Sequence, residues 1–456
     1  MKKTTMIVIA LFLLITGVYV IFSLFSPRGQ LCSPQNNICY LEDGSLNLQE
    51  QTIVIAVETE TQQEWLNEQL QPYTENTTAT ITIIVREETS AFSFVNSTID
   101  VAMMDIQAAG SVHPSLHRFN YDEVNPDSIN FASKHLEAIN HDGITFIPAT
   151  IDGPFFVMNT TLLSQLGYDV NDVDEHGRIN ALASFEAIME ANESYRENRP
   201  VIGRKSLTSM FPLTLVEPWS IYAFFTGNGW RMYPSDNAFE PGLDTPLFLE
   251  ALTIAQPILS HNWDLTGQNN QSWRYENELI AGTAPFGIKL PWLDLESIAT
   301  HTKQTYVITP MPTLGGYQPY TLAQVKGWVF KETASPALKK LVMEKLTSHG
   351  FTQLLFSEDR ETVMIDPSRV DEFEMSAIQR QKILASQFTT SPALFALPHF
   401  PSVVGFDFYT SGEMLPILHQ LKDQSITPTQ VQAQILKAFD RWVIERTYYE
   451  NKSNPK

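Results

Sequence analysis

Three short apolar runs near the start of the chain constrain its fold more than any other feature of the sequence. They are Thr52–Val57, Thr80–Val85 and residues 98–104, and each is rich in β-branched residues. Nearly continuous apolar runs of this length suit strands that are buried on both faces of a parallel sheet. Because a helical segment separates the first two runs, the order strand–helix–strand predicts an α/β lobe.

Helix signals accompany these strands. Thr61 and Glu64 have the spacing of an N-cap residue and its N3 partner, which together form a capping box. Thr427 and Gln430 repeat this spacing and predict a helix near the end of the chain. The apolar side of the first predicted helix consists of Trp65, Leu66, Leu70 and Tyr73.

The length of the chain indicates two lobes. Of its 456 residues, those that follow the N-terminal segment are too many for one hydrophobic core. Residues 146–154 and 307–316 mix extended residues with Pro and Gly, as strands that connect two lobes often do. We therefore predict these two stretches as hinges.

The N-terminal segment has the length of a membrane span. Residues 6–25 are uncharged and mostly apolar, and they follow Lys2 and Lys3 closely. Such a segment can cross the hydrocarbon core of a bilayer as one helix, and it is longer than a typical secretory signal core. The two lysines favour the cytoplasmic side, so the rest of the chain is expected outside the cell membrane. It would be anchored there or secreted after signal cleavage, and the alternative is a buried helix of a soluble protein.

The two cysteines lie just beyond this segment. Outside the cell, Cys32 and Cys39 can close a short disulfide loop. The alternative is lipidation of Cys32 after signal cleavage, but a bacterial lipobox needs a small residue before its cysteine and Leu31 occupies that place. We favour the structural disulfide.

Charge and motif content exclude several classes of function. The formal net charge of −21 repels nucleic-acid phosphates and anionic lipid surfaces. The sequence contains no G-x-S-x-G, P-loop, H-E-x-x-H or dinucleotide fingerprint. His113 and His117 lie four residues apart, but Pro114 interrupts the helical face that would align them for zinc. We therefore predict no catalytic residue, no metal, no cofactor and no nucleic-acid partner.

Carboxylates and aromatic residues recur at the ends of predicted strands. Asp105 follows the run 100–104, Glu217 precedes a helix that begins with Pro218 and Trp219, and Trp292 closes the segment 283–290. Ligands of open α/β sheets bind at the carboxyl ends of strands. Any one of these residues alone is more often a core tryptophan or a solvated carboxylate. Together they suit a sugar, which offers apolar C–H faces and hydroxyl donors.

The order of several segments resembles a known family. Across residues 50 to 445 the sequence is similar to the extracellular solute-binding proteins of ABC transporters, most closely to the maltose/maltodextrin-binding type (family 1). The segments that carry the resemblance are Asp100 to Asp105, Ile147-Pro148 to Met158-Asn159, Glu217-Pro218-Trp219 with Gly227 to Trp230, Glu278 to Gly282 with Pro291-Trp292, Thr309 to Thr313, and Ala334-Ser335-Pro336.

The resemblance implies a two-lobe periplasmic-binding-protein-like α/β fold. Each lobe would be discontinuous in sequence and built on a mostly parallel sheet flanked by helices, after an N-terminal membrane segment. The expected division assigns 1–46 to the anchor or signal and linker, 47–150 and 312–362 to lobe 1, 151–311 and 363–449 to lobe 2, and 450–456 to a tail.

The resemblance also implies the residues of a sugar site. Asp105 would contribute from the first lobe, Asp152 from the first crossover, and Glu217 and Trp219 from the second lobe. Met104 stands where the family often has a tryptophan, and phenylalanines replace a late tryptophan. The full set of expected ligand contacts is Met104, Asp105, Asp152, Glu217, Trp219, Trp273, Trp292, Phe406 and Phe408.

The implied function is capture of a saccharide, oligosaccharide-like in size, between two lobes of a monomer and its delivery to an ABC permease without chemical change. Two alternatives stay open. Asp105, Asp152 and Glu217 could supply the carboxylate pair of a glycosidase. A surface sensor or adhesin could use the same cleft.

Overall fold

The computed structural model describes residues 31–32, 38–41, 45–75, 77–112, 115–120, 143–198, 200–202, 205–206, 209–213, 218–232, 240–261, 263, 274–289, 293–388, 408–409 and 411–453. Within these residues the chain forms two α/β lobes, each built on its own sheet. The predicted two-lobe α/β fold is confirmed. The expected division of the chain between the lobes stays a prediction.

The first lobe is built on a mixed sheet of six strands. In spatial order these are β13 (Thr362–Val363), β6 (Ile147–Asp152), β12 (Gln324–Phe330), β5 (Val101–Asp105), β3 (Thr52–Val57) and β4 (Thr80–Val85). β3 is parallel to β4 and β5, whereas β12 is antiparallel to β5 and β6, and β13 is antiparallel to β6. The first two predicted strands match β3 and β4, and the third spans 101–105 rather than 98–104.

The second lobe contains a three-stranded antiparallel sheet. Its central strand β7 (Phe155–Asn159) lies between β10 (Phe286–Lys289) and β11 (Tyr306–Thr309). The remaining described strands form two short hairpins, β1 (Leu31–Cys32) with β2 (Cys39–Tyr40) and β8 (Val201–Ile202) with β9 (Lys205–Ser206).

The strand directions differ from the mostly parallel sheets that the sequence predicted, because the chain crosses between the lobes. β6 ends at Asp152, and the chain passes through Gly153 and Pro154 into β7. β7 therefore enters its sheet from the side that faces the first lobe. β12 likewise enters the first-lobe sheet after the crossing from β11. β7 and β12 each start at the side of their sheet that faces the other lobe. Each is therefore antiparallel to its neighbours, which end at that side.

Helices cover these sheets. Those next to the first-lobe sheet are α1 (Glu60–Glu75), α2 (Ala91–Val95), α3 (Ile106–Ser111), α11 (Pro336–Leu346) and α12 (His349–Glu358). The others are α4 (Thr160–Gln165), α5 (Phe185–Asn198), α6 (Pro218–Ile221), α7 (Ala223–Thr226), α8 (Pro246–Ser260), α9 (Arg274–Ile280), α10 (Leu295–Thr302), α13 (Ala377–Ser386), α14 (Leu415–Lys422) and α15 (Pro428–Ser453), with 3₁₀ turns at Asn180–Leu182 and Pro367–Glu372.

One of the two predicted capping boxes is confirmed. At the start of α15, the Gln430 backbone N–H donates to the Thr427 hydroxyl at 3.3 Å, and the Thr427 N–H donates to the Gln430 side chain at 2.9 Å. The predicted cap of α1 was placed two residues too late. That helix begins at Glu60, and the Thr59 hydroxyl accepts the Gln62 N–H at 3.1 Å.

Alternation along the strands divides the first-lobe core between the two faces of its sheet. On β5, Val101 and Met103 join one cluster, with α1, α11 and α12. Ala102 and Met104 join the other cluster, with α2 and α3. Both clusters are buried, as expected when successive strand residues point to opposite faces that are each covered by helices.

The β1–β2 hairpin packs on the first lobe. Cys32 and Cys39 are partners in its ladder, and Cys39 is disulfide-bonded in a chain that has two cysteines. Ile38 is buried in the first-lobe core, and Lys340 of α11 donates to the Tyr40 hydroxyl at 3.2 Å. Residues 38–41 therefore pack against the first lobe.

The predicted membrane span at 6–25 lies outside the described residues. Among the residues that are described, none of the helices combines the length and apolar character that crossing a bilayer requires.

Candidate functional site

The two predicted hinges lie in the two segments that connect the sheets, and these connecting segments approach each other at Gly153. The first joins β6 to β7, and the second joins β11 to β12. At Gly153 in the first hinge, an added Cβ would lie 2.7 Å from the Leu322 carbonyl oxygen and 2.9 Å from the Ala323 Cβ. Glycine therefore allows the close approach of the two crossovers, which fixes where the lobes meet.

Three carboxylates lie at the first-lobe edge that faces this crossing. Glu58 follows β3 directly, Asp105 ends β5 and Asp152 ends β6. Asp105 is the ladder partner of Lys326 and Asp152 that of Gln324, so the two acids are two strand spacings apart across the sheet and two residues apart along it, roughly 12 Å between their Cα atoms. The structure thus brings two of the predicted site residues to one edge and adds a third acid, Glu58.

Asp105 also has a structural role. One of its carboxylate oxygens accepts the Ala108 backbone N–H at 2.7 Å, so Asp105 is the N-cap of α3. Its Cα partner across the sheet is Lys326 of β12. The N-cap bond holds the carboxylate at the edge and occupies one of its oxygens.

Asp152 has the most perturbed carboxyl group of this edge. Burial raises its pKa to about 6, and Lys289 opposes this shift, whereas Glu361 adds to it. One oxygen accepts the Gly153 backbone N–H at 3.0 Å. Asp152 is therefore ionised at neutral pH but close to its titration range.

Lys289 brings a buried cation from the second lobe. It ends β10 and is the ladder partner of Phe155, which lies three residues beyond Asp152. Its side chain is almost fully buried, and burial lowers its pKa to about 8 although Asp152 favours the charged form. The ends of β6 and β10 thus bring opposite charges together where the lobes join.

Lys326 is the centre of an ionic group beside these residues. Its ammonium lies 2.5 Å from a Glu361 oxygen and 3.2 Å from a Glu58 oxygen. Burial alone would lower the pKa of Lys326, but Glu361 and Glu58 outweigh burial and raise it. Burial raises the pKa of Glu58, against the opposing effect of Lys326. Lys326 is therefore a firmly charged donor at the edge.

The predicted aromatic contacts have different positions. Trp219 is half-buried on α6 and packs against the second-lobe core, so part of its surface is still accessible. Phe408 is fully buried, with its ring 5.3 Å from that of Phe439. Met104 is buried in the first-lobe core. Phe408 is covered by α15, and Met104 by the helices over its face of β5, while their contact with a ligand stays a prediction.

Four predicted contacts, Glu217, Trp273, Trp292 and Phe406, lie outside the described residues. The segment that follows Phe406 is linked to one predicted site helix, because the Tyr409 hydroxyl donates to the Pro218 carbonyl at 2.7 Å. This bond fixes the start of α6, which carries Trp219.

Within the residues that the structure describes, no three His, Cys, Asp or Glu side chains are arranged to hold a metal ion. The charged groups of the edge are instead paired with one another. Such a set can donate to and accept from a polar neutral ligand, since ammonium groups supply donors and carboxylates supply acceptors.

Four charged residues of this edge were not predicted from the sequence: Glu58, Lys289, Lys326 and Glu361. A signal for Glu58 was present, because it is a carboxylate directly after a predicted strand. Lys326 gave no such signal, since it lies in a strand that also contains Gln324 and Gly327 and lacks a continuous apolar run.

The chain is similar to known proteins in its fold rather than in its sequence. No protein-family model matches the chain, and no curated protein sequence does either. Solved structures do match. The maltose-binding periplasmic protein of Listeria monocytogenes, in complex with maltose, superposes with a TM-score of 0.65 at 15% identity, covering 87% of this chain and 98% of that protein.

Two further structures agree. The extracellular solute-binding protein from Staphylococcus aureus in complex with maltose has a TM-score of 0.63 at 14% identity, over 86% of this chain and 98% of its own. A cyclo/maltodextrin-binding protein complexed with maltotetraose has a TM-score of 0.64 at 14% identity, over 86% and 96%. The chain therefore has the two-lobe fold of maltose- and maltodextrin-binding proteins.

Proposed function

We propose that this protein binds a neutral saccharide between its two lobes and releases it unchanged. The observation that carries the proposal is the cluster of Glu58, Asp152 and Lys326 at the first-lobe edge, beside Lys289 of the second lobe. Sugar hydroxyls donate to carboxylates and accept from ammonium groups. Proteins of the same fold are complexed with maltose and maltotetraose.

The affinity would come from several modest contacts. A desolvated hydrogen bond to a charged group contributes about 1.5–3 kcal/mol. Covering half of the Trp219 face removes about 100 Å² from water, worth roughly 2 kcal/mol. One contact of either kind is too weak for micromolar binding, so contacts from both lobes are required. A ligand that touches both lobes also favours their closed arrangement.

We further propose that the protein works outside the cytoplasmic membrane and delivers the sugar to an ABC permease. The apolar segment at residues 6–25, behind Lys2 and Lys3, supports export or anchoring. The disulfide-bonded Cys39 fits an oxidising compartment. A permease partner is proposed from the likeness of fold.

The experiment is a calorimetric titration of the full chain with maltose, maltotetraose and a panel of unrelated saccharides. We expect micromolar binding of at least one saccharide and a raised melting temperature in its presence. Absence of both effects for every saccharide would overturn the proposal.

A glycosidase is the second candidate, and the raised pKa of Asp152 favours it because a general acid needs such a shift. The N-cap bond of Asp105 argues against this function, since it engages the carboxylate that would be the partner acid. Analysis of the saccharide after prolonged incubation separates the two functions. Intact sugar supports binding alone, and hydrolysis that is lost in Asp152→Asn supports an enzyme.

A further inference from the structure

The turn between α12 and β13 contacts several separate parts of the fold. It consists of four consecutive charged residues, Glu358, Asp359, Arg360 and Glu361. Asp359 has φ 45°, a left-handed conformation that ends α12. The turn is thereby held beside the first-lobe edge, where each of the four side chains reaches a different partner.

The first three residues contact the surroundings of the cleft. The Glu358 carboxylate accepts from the Thr59 hydroxyl, at the turn that follows β3. Asp359 accepts from Lys382 of α13 at 3.4 Å. Arg360 lies 3.7 Å from Glu58.

Glu361 contacts the edge itself. One carboxylate oxygen accepts from the Thr150 hydroxyl on β6, and the other lies 2.5 Å from the Lys326 ammonium on β12. The next residue, Thr362, is the ladder partner of Ile151. The Glu361 carboxylate therefore lies between two strands of the cleft edge and close to Asp152.

We propose that Glu361 is a positioning residue that fixes the Lys326 ammonium at the cleft edge and, through its negative charge on Asp152, makes ligand capture sensitive to mild acid. This inference rests on the proposed saccharide-binding function. Glu361 itself does not contact the ligand and acts through its two neighbours.

The charges that face Asp152 support this role. Burial is the largest cause of its raised pKa. Lys289 from β10 and Lys382 from α13 favour the ionised form, together with the Gly153 N–H, whereas Glu361 disfavours it. With the pKa at about 6, Asp152 is ionised above pH 6 and becomes protonated as the pH falls below it.

The sign of the pH effect follows from the acceptor role of Asp152. A carboxylate accepts sugar hydroxyls on both oxygens, and protonation removes part of this capacity. The affinity for the sugar is therefore highest at pH values above the pKa of Asp152 in the ligand-free protein, and it falls as the pH drops through that pKa. By proton linkage with a pKa of about 6, affinity for the sugar falls by up to about tenfold between pH 7 and pH 5, the limit in which the protonated form does not bind.

The test compares Glu361→Gln with the wild-type full chain, by calorimetric titration with maltotetraose from pH 5 to pH 8. The amide keeps a hydrogen-bonding side chain beside Thr150 and Lys326 but removes the negative charge. We expect its loss of affinity to begin at lower pH than in the wild type. The midpoint is the pH at which half of the affinity is lost. In Lys326→Met we expect a higher midpoint, because the Glu361 charge is no longer compensated by Lys326 and disfavours ionised Asp152 more strongly.

Glu372→Gln is the control, since Glu372 pairs with Arg369 on the surface and also carries one negative charge. It should leave the midpoint unchanged. A Glu361→Gln profile that superimposes on the wild-type profile would overturn the inference.

The two failures can be told apart. If the wild type binds no saccharide at any pH, the proposed function fails. Carbon-13 NMR titration of the Asp152 carboxyl, which needs no ligand, then decides the inference. A lower Asp152 midpoint in Glu361→Gln supports the positioning role, and an unchanged midpoint contradicts it.

Discussion

At the scale of single residues, the cleft edge depends on charges that compensate one another. Lys326 lies between Glu58 and Glu361, and Lys289 balances Asp152. Removing one partner of a buried pair leaves the other uncompensated, which costs far more than a surface ion pair contributes. The charged side chains of the edge therefore stabilise one another, and we expect a single substitution among them to change both ligand affinity and the free energy of unfolding.

Gly153 gives a sharper residue-scale prediction, because the backbone of the other connecting segment fills the space that a side chain would need. In Gly153→Ala the new Cβ would meet the Leu322 carbonyl oxygen at 2.7 Å, and backbone cannot move aside easily. We expect a loss of about 1–3 kcal/mol in the free energy of unfolding, measured by chemical denaturation.

Gly227→Ala is the matched control for that substitution. Gly227 has helical φ of −52°, and its added Cβ would lie 3.4 Å from the nearest atom, an ordinary contact. We expect a change within about 0.5 kcal/mol for this control. Equal stability of the two variants would show that the crossovers do not need the glycine.

At the scale of elements, the short helix α6 matters because it carries Trp219. Four residues cannot form a stable helix alone, so its position depends on neighbours. Tyr409 supplies one of them through the bond from its hydroxyl to the Pro218 carbonyl, and its ring lies 5.5 Å from that of Tyr222. The orientation of Trp219 is thus set by a residue that is distant in the sequence.

Tyr409→Phe tests this dependence. The ring still fills its site, but the Pro218 carbonyl loses the Tyr409 hydroxyl and retains the Tyr222 N–H at 3.1 Å. We expect a loss of about 0.5–1.5 kcal/mol in the free energy of unfolding, and weaker saccharide binding because α6 is held less firmly. Tyr317→Phe at an exposed position is the control. Unchanged saccharide affinity in Tyr409→Phe would remove α6 from the site.

At the scale of the whole molecule, local patterns predicted elements better than they predicted strand direction. The β-branched runs of β3 and β4 were located correctly because such runs have few alternatives. The direction of β7 and β12 depends instead on which lobe the chain has just left, and no local pattern encodes that. Both sheets therefore contain antiparallel pairs that the sequence did not indicate.

The residues of the candidate site also differ in how far local sequence patterns indicate them. Asp152 was expected from the resemblance, and it lies within a stretch whose Pro and Gly residues mark a hinge. Lys326 could not, since its partners Glu58 and Glu361 are distant in the sequence and the three meet only after the sheet has formed. Met104 and Phe408 were expected at the ligand from the family resemblance alone, and no pattern in the sequence indicated how far each is buried.

Saccharide binding between the lobes is best tested by a crystal structure of the full chain grown with the saccharide that binds best in titration. We expect a sugar ring between the two lobes, with hydroxyls hydrogen-bonded to Asp152 and to the Lys326–Glu58 pair. A saccharide bound elsewhere, with these side chains still paired only to one another, would show that this edge is not the binding site.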